Sequence, residues 1–311
     1  MRVLVTGASG FVGRHLVAHL VDQGDDVVGS DRVTGGPDIT DATGIREFLE
    51  ASRPDAVYHL AGWSDVGGSW SAPQAAFRAN AEGTLNVLQA SIAASVQRVL
   101  IVSSADVYGV VAEDQLPLTE DAPLRPVSPY AASKVAADFL ALQAFLGRRL
   151  GVVRVRAFNH LGPGQSENFV APALACRIAR NERDGLDEVR VGNLAARRDF
   201  TDVRDVVRAY RLLVERGEVG EVYNVSSGHD VAVVDLAHQL IGMAARPMAL
   251  VHDSTLERPV EVPVLRGDNS RLRGATGWAP AIPLARTLAD LLDDARARVR
   301  GEGVRTASGA P

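Results

Sequence analysis

A chain of 311 residues is long enough for one large domain or a domain with a second lobe, and its 46% hydrophobic and 23% charged residues are ordinary for a globular protein. A net charge of −5 leaves no basic footprint for nucleic acid, so any phosphate must be held by individually placed groups. The single cysteine, Cys176, excludes an internal disulfide and a multi-cysteine metal site, and is expected as a small buried hydrophobe. No metal centre is expected.

The N-terminus reads straight into a strand without a charged-then-apolar leader, and no apolar run is long enough to span a bilayer. A soluble cytoplasmic protein is the expectation. Arg2–Thr6 is a short β-rich run. It leads into Gly7-Ala-Ser-Gly-Phe-Val-Gly13 and then a helical stretch over 14–21. Strand, glycine-rich turn and helix together suit a pyrophosphate: glycines permit close backbone approach, and a helix N-terminus presents free N–H groups. Gly7, Gly10, Phe11, Val12 and Gly13 are the candidates.

A second strand, Asp26–Ser30, ends on Asp31, about twenty residues after the turn, where an acid can hold a ribose 2′-hydroxyl. A carboxylate there repels a 2′-phosphate and favours NAD, whereas neighbouring Arg32 can accept that phosphate and keeps NADP open. After Asp38 and Ile39, a helix is expected over 41–52. Residues 54–62 read as a buried strand ending in Leu60, Ala61 and Gly62, small enough at its end to lie against a cofactor. A helix is expected over 75–95. Arg98–Ser104 is a β-branched strand ending in the hydroxyls Ser103 and Ser104.

Ser128-Pro129 then opens a helix that places Tyr130 and Lys134 four residues apart on one face. An ammonium beside a phenol favours the phenolate, so the spacing predicts a tyrosine whose pKa lies below the usual value of about 10 and which acts as a general acid/base. A further strand covers 152–157. The pattern then changes: a loop over 158–165, a helix over 169–182, a strand over 188–191, an arginine-rich stretch over 197–203, a helix over 203–216, and a strand over 221–225 able to return to the first sheet.

This alternation predicts an α/β fold, a Rossmann-type doubly wound parallel sheet with ligands at the carboxyl ends of its strands. The dinucleotide-binding domain is placed at 1–157 with returns near 197–227, and a smaller mixed α/β substrate-binding lobe at 158–300. Residues 301–311 read as a flexible tail.

Four segments, 6–13, 59–62, 103–109 and the Tyr130/Lys134 pair, resemble in kind and order those of the extended short-chain dehydrogenase/reductase family, the NAD-dependent epimerases and dehydratases. The second half is similar to the branch containing GDP-mannose 4,6-dehydratases and GDP-4-keto-6-deoxy-hexose reductases. The segments that carry this are 158–165, 191–203 and 258–263. The resemblance implies that Ser104 bonds the substrate oxygen, Tyr130 moves its proton, and Lys134 holds the nicotinamide ribose. It places Asp38 and Ile39 beside the adenine. Asn159, Phe169, Val170, Asn193, Arg198 and Arg258 are then expected to hold a nucleotide-diphosphate sugar, with Glu261 at its ribose. Forked arginines suit a diphosphate, although Arg198 also has Asp199 and Asp202 as possible ion-pair partners.

In the 4,6-dehydratases the two positions after the active-site hydroxyl hold a proton donor and a glutamate base. Here they are Ala105 and Asp106, and alanine transfers no proton. Dehydration is therefore disfavoured, and NAD(P)H-dependent reduction ranks ahead of 4-epimerisation, which needs the same set. A catalytically silent dinucleotide sensor would not need Ser104, Tyr130 and Lys134 together. The family further implies a homodimer, paired through the helices after Asn80 and Tyr130, with Val135, Phe139 and Leu142 either lining the contact or facing the sheet.

Overall fold

The computed structural model describes residues 1–256 and 262–307, with side chains up to Gly301. The chain runs β1 (Arg2–Thr6), α1 (Phe11–Asp22), β2 (Asp26–Ser30), α2 (Ala42–Ser52), β3 (Ala56–His59), α3 (Pro73–Phe77), α4 (Gly83–Ala93), β4 (Arg98–Ser104), α5 (Pro129–Arg148) and β5 (Val152–Ala157). It continues with β6 (Asn159–Leu161), α6 (Val170–Asp184), β7 (Glu188–Val191), β8 (Arg197–Asp202), α7 (Val203–Arg216), β9 (Val222–Val225), β10 (Asp230–Ala232) and α8 (Val233–Gly242). Last come β11 (Ala249–His252), β12 (Val264–Leu265), α9 (Ser270–Thr276) and α10 (Leu284–Ala307).

Six strands in the order β2-β1-β3-β4-β5-β9 form one parallel sheet. Their near-continuous apolar runs are what burial on both faces demands. On one face α1 and α7 pack through Leu16, Leu20, Val206 and Tyr210 onto Val3, Val5, Val153 and Val155. On the other, α2, α4 and α5 pack through Ile45, Leu49, Val87 and Ala141 onto Leu4, Val57 and Val99. A separate apolar cluster joins α6, α8 and α10 and includes Cys176, which is buried as expected, its thiol pushed up to about 11 by desolvation. Beside it, β8 pairs with β10, β12 and β6, and β7 pairs with β11.

Helix α5 starts where its sequence says it should: the Ser128 hydroxyl accepts from Ala131 N at 3.1 Å and Pro129 occupies the first turn. A buried charge cluster fixes its middle. Asp138, fully buried, accepts from Arg154 Nη1 at 2.7 Å and Arg156 Nε at 2.9 Å, which ties α5 to β5.

Three segments depart from expectation. The 158–165 loop contains β6, because its residues find a partner in β8. The helix expected over 75–95 is broken at Arg78–Glu82 by a π turn, the one-residue expansion often seen at functional sites. The tail expected from 301 is helical to Ala307, with 308–311 outside the described residues. Leu288, Leu291, Ala295 and Val299 anchor α10 in the lobe core, and a helix so anchored tolerates a glycine at about 1 kcal/mol. No helix among the described residues is long and apolar enough to cross a membrane.

Candidate active site

The carboxyl ends of the sheet strands and the neighbouring lobe enclose a cavity of about 750 Å³. Its first wall is the glycine turn. Gly7 has φ +72°, and a Cβ there would lie 2.8 Å from Ala61 N, while a Cβ on Gly13 would lie 2.0 Å from Gly7 O. Turn, α1 and the Ala61 segment are thus interlocked backbone to backbone. The α1 N-cap, Gly10, contributes no side-chain bond, so the first N–H groups of the helix are left for a ligand. That cradle fits a dinucleotide pyrophosphate.

Asp31 stands at the end of β2, its carboxylate accepting from Val33 N at 2.9 Å and Ser9 N at 3.3 Å. Arg32 lies beside it with its side chain 79% exposed and 3.4 Å from Asp38. Asp38 is held below the usual carboxylate range, first by the Thr40 N–H and then by the Thr40 hydroxyl. Arg32, Asp38, Ile39, Leu60, Ala61 and Gly62 all line the cavity.

Helix α5 brings Tyr130 and Lys134 to the opposite wall, next to Ser103 and Ser104 at the end of β4. The Tyr130 N–H donates to Ser69 Oγ, and the Ser104 side chain lies beside its phenol. Ser104 Oγ in turn accepts from Asp106 N at 3.1 Å. Lys134 Nζ donates to Val102 O at 2.9 Å and sits 6.0 Å from the Tyr130 ring centroid.

The expected lowering of the tyrosine pKa is not what this geometry produces. Burial pushes the Tyr130 phenol up and the charge of Asp106 pushes the same way, with only the Ser104 side chain opposing. The lysine is the group that yields: desolvation brings Lys134 down to about 8. Helical spacing put the two side chains together, but burial acts on each of them more strongly than their pairing does.

Behind this wall lies a polar scaffold that the sequence did not reveal. Asn80, in the π turn, accepts from Trp63 N at 2.8 Å and donates to Trp63 O and to Ser133 Oγ. His59 is bridged between Thr6 Oγ1 at 2.8 Å and Thr84 Oγ1 at 3.1 Å. Burial, and then the Lys134 charge, hold it neutral with a pKa of about 3. Trp63, Trp70, His160, Gln165 and Tyr210 also reach the cavity. Asn80 shares its helical stretch with Arg78, Glu82, Asn86 and Gln89, so its polarity gave no signal, and neither did tryptophan and tyrosine at core spacing.

From the lobe, Asn159, Phe169 and Arg198 line the cavity. Arg198 Nη1 donates to Arg197 O and Pro263 O. Asp199, one of its expected partners, instead accepts from Ser227, Gly228 and Gly267. Asp202 is engaged by Arg204 and Thr287. Two expected residues are not on the cavity wall: Val170 packs into the lobe core, and Asn193 Oδ1 accepts from Ala195 N in a local turn. Val170 directly follows a residue that does line it, and sequence position alone cannot resolve which way a side chain faces. Arg258 and Glu261 lie outside the described residues.

Residues 3–226 match the model of the NAD dependent epimerase/dehydratase family. The chain belongs to this family. It is 40% identical to the GDP-6-deoxy-D-mannose reductase of Pseudomonas aeruginosa, over 97% of this chain and 99% of that one. It is 28% identical to the GDP-6-deoxy-D-talose 4-dehydrogenase of Aggregatibacter actinomycetemcomitans, over 89% of this chain and 92% of that one. Among solved structures, RMD from Pseudomonas aeruginosa complexed with NADPH superposes with a TM-score of 0.87 at 38% identity, covering 96% of this chain and 100% of that one. The UDP-glucose 4-epimerase of Thermus thermophilus in complex with NAD gives 0.85 at 27% identity, covering 95% and 99%. Fold, family and site together make this an NAD(P)-dependent enzyme of the nucleotide-sugar class.

Proposed function

We propose that the protein reduces the C4 keto group of a GDP-4-keto-6-deoxy-hexose, giving a GDP-6-deoxy-hexose such as GDP-D-rhamnose. The observation that carries this reading is the makeup of the reacting end of the cavity. Ser104, Tyr130 and Lys134 are assembled there, while the position where elimination would need a second proton donor is Ala105, a buried methyl. Similarity to the Pseudomonas reductase along nearly the whole chain supports it.

A reduced nicotinamide, when bound, supplies the hydride. The Ser104 hydroxyl holds the C4 oxygen, and the Tyr130 phenol gives that oxygen its proton as the carbon–oxygen π pair moves onto it. A phenol kept protonated by burial and by Asp106 is in the right state to donate. Lys134 holds the nicotinamide ribose. Gly7, Gly10, Phe11, Val12 and Gly13 hold the pyrophosphate, and Asp38 and Ile39 flank the adenine. Asn159, Phe169 and Arg198 hold the sugar nucleotide. Asp31 puts NADH ahead as donor, and Arg32 keeps NADPH usable.

The chain is further read as a cytoplasmic homodimer. Phe77 on α3 and Phe139 on α5 are 52% and 53% exposed and offer apolar surface on adjacent helices. Of the two other residues considered for that contact, Val135 packs inward beside Ala105 and Tyr108, and Leu142 is half-buried.

The test is nicotinamide oxidation, followed by absorbance, with GDP-4-keto-6-deoxy-mannose as substrate and NADH or NADPH as donor. Turnover establishes the reductase and the ratio of kcat/KM names its cofactor. Interconversion of a UDP- or GDP-hexose without net cofactor use overturns the reading in favour of epimerisation.

A further inference from the structure

Two buried side chains behind the reacting end take no part in the proposed chemistry, Tyr108 and Arg156. Tyr108 ends the short 3₁₀ turn Ala105–Tyr108, which Ser104 caps at the close of β4. Arg156 lies on β5, in register with Ser103 of β4. The Tyr108 ring packs against the Arg156 guanidinium, whose central carbon lies 5.2 Å from the ring centroid. The Tyr108 hydroxyl accepts from Arg156 Nη1 at 3.1 Å and donates to Asn224 Oδ1 at 2.7 Å. At its other edge the same guanidinium donates through Nε to Asp138 Oδ2 at 2.9 Å. All four of these residues are buried.

Asp138 stands on α5 four residues after Lys134 and eight after Tyr130, a spacing that returns near the same side of the helix. Tyr108 stands four residues after Ser104, one 3₁₀ turn away. One side chain thus grips both the helix that carries Tyr130 and Lys134 and the turn that carries Ser104. Two guanidinium groups, Arg154 and Arg156, around one carboxylate in a dry layer add little net stability, because desolvation offsets their attraction. What the arrangement does give is direction. The donors of a guanidinium are fixed in one plane, so the bond to Asp138 at one edge decides where the donor to Tyr108 must lie.

We propose that Arg156 and Tyr108 are positioning residues that set the separation of Ser104 from Tyr130, and with it the geometry in which the phenol passes its proton to the substrate oxygen. This deepens the proposed function and rests on it, since Ser104 must hold that oxygen. Neither residue lines the cavity, so both act through the turn and the helix that they join.

The test is a double-mutant cycle in kcat. Tyr108→Phe, which keeps the ring against the guanidinium and removes only the hydroxyl, is introduced into wild type and into Ser104→Ala. In wild type it is expected to lower kcat about tenfold with KM and NADH Kd unchanged, because reacting groups displaced by a fraction of an ångström lose rate rather than binding. In Ser104→Ala no hydroxyl is left to position, and the loss should shrink to less than about twofold. NADH binding, read by tryptophan fluorescence, reports an intact fold. If Tyr108→Phe does not bind NADH, Arg156→Lys takes its place in the cycle, since it keeps a cation beside Asp138 without the fork. Equal losses in both backgrounds, as a merely structural role would give, or no loss in either, overturn the inference. If wild type epimerises instead of reducing, the cycle is read on epimerisation, which needs the same Ser104 and Tyr130, and only the proposed function falls. A wild type active in neither reaction overturns both.

Discussion

Lys134→Met should make the ligand-free protein more stable while destroying its activity. The Lys134 ammonium is carried on α5 into the inner wall of the cavity, where it donates to Val102 O at 2.9 Å, and desolvation lowers its pKa from 10.5 to about 8. At about 1.4 kcal/mol per tenfold in the proton equilibrium, holding that charge at neutral pH costs on the order of 3 kcal/mol. Lys134 borders the cavity and is half-buried, so solvent relieves part of this and about 2 kcal/mol is the better expectation. Methionine keeps the unbranched stem and drops the charge. The sign follows from proton linkage: below pH 8 the lysine is charged in both states, so the folded protein bears the whole penalty. Between about 8 and 10.5 the unfolded chain binds more protons than the folded one, and wild-type stability rises with pH relative to the variant. Urea unfolding of both proteins without ligand, from about pH 6.5 to 10, measures the difference. A variant less stable than wild type at pH 7, or a gap that does not close as pH rises, refutes the reasoning.

Tyr130→Phe should cut kcat by about 10²–10⁴-fold with dinucleotide Kd unchanged, since it removes the proton donor alone; turnover and fluorescence titration check both. Gly13→Ala should abolish measurable dinucleotide binding, because the added Cβ lies 2.0 Å from Gly7 O and the cradle must open to admit it. Asp138→Asn leaves two buried guanidinium groups without their anion and should cost about 3–5 kcal/mol, read as a lower denaturant midpoint with unchanged slope. For kcat/KM of reduction, an alkaline limb near pH 8 is expected from Lys134, whose pKa is about 8, and none from Tyr130 below pH 10.

What could be read from sequence was whatever the backbone enforces locally. Strand, glycine turn and helix over 2–22 follow from periodicity and steric need. A strand ending on Asp31, and Tyr130 and Lys134 on one helical face, follow from spacing, and the structure keeps all of them. The misses share a different origin. Asn80 grips a loop 17 residues away, His59 bridges residues 53 and 25 positions distant, and Tyr210 comes to the cavity from the far side of the sheet. Those contacts are made by tertiary packing, which leaves no periodic trace in the chain. Val170 stands off the cavity wall for a smaller reason: directly after Phe169, which lines it, a one-residue difference turns the side chain into the lobe core.

The Tyr130 pKa exposes the deeper limit. Spacing establishes that two groups are neighbours, but a pKa reports the sum of neighbour, burial and every other charge, and here burial dominates. The same burial has a use. A phenol raised above its ordinary value remains a proton donor at physiological pH, and a lysine lowered to about 8 can exchange its own proton near neutrality. Reduction consumes one proton per turnover at the C4 oxygen. A donor kept protonated beside a base poised to exchange suits that direction of chemistry better than the phenolate that simple pairing would give. Holding Lys134 there requires a rigid α5, and the buried Asp138–Arg154–Arg156 cluster one helical turn further on supplies it by fixing the helix to β5.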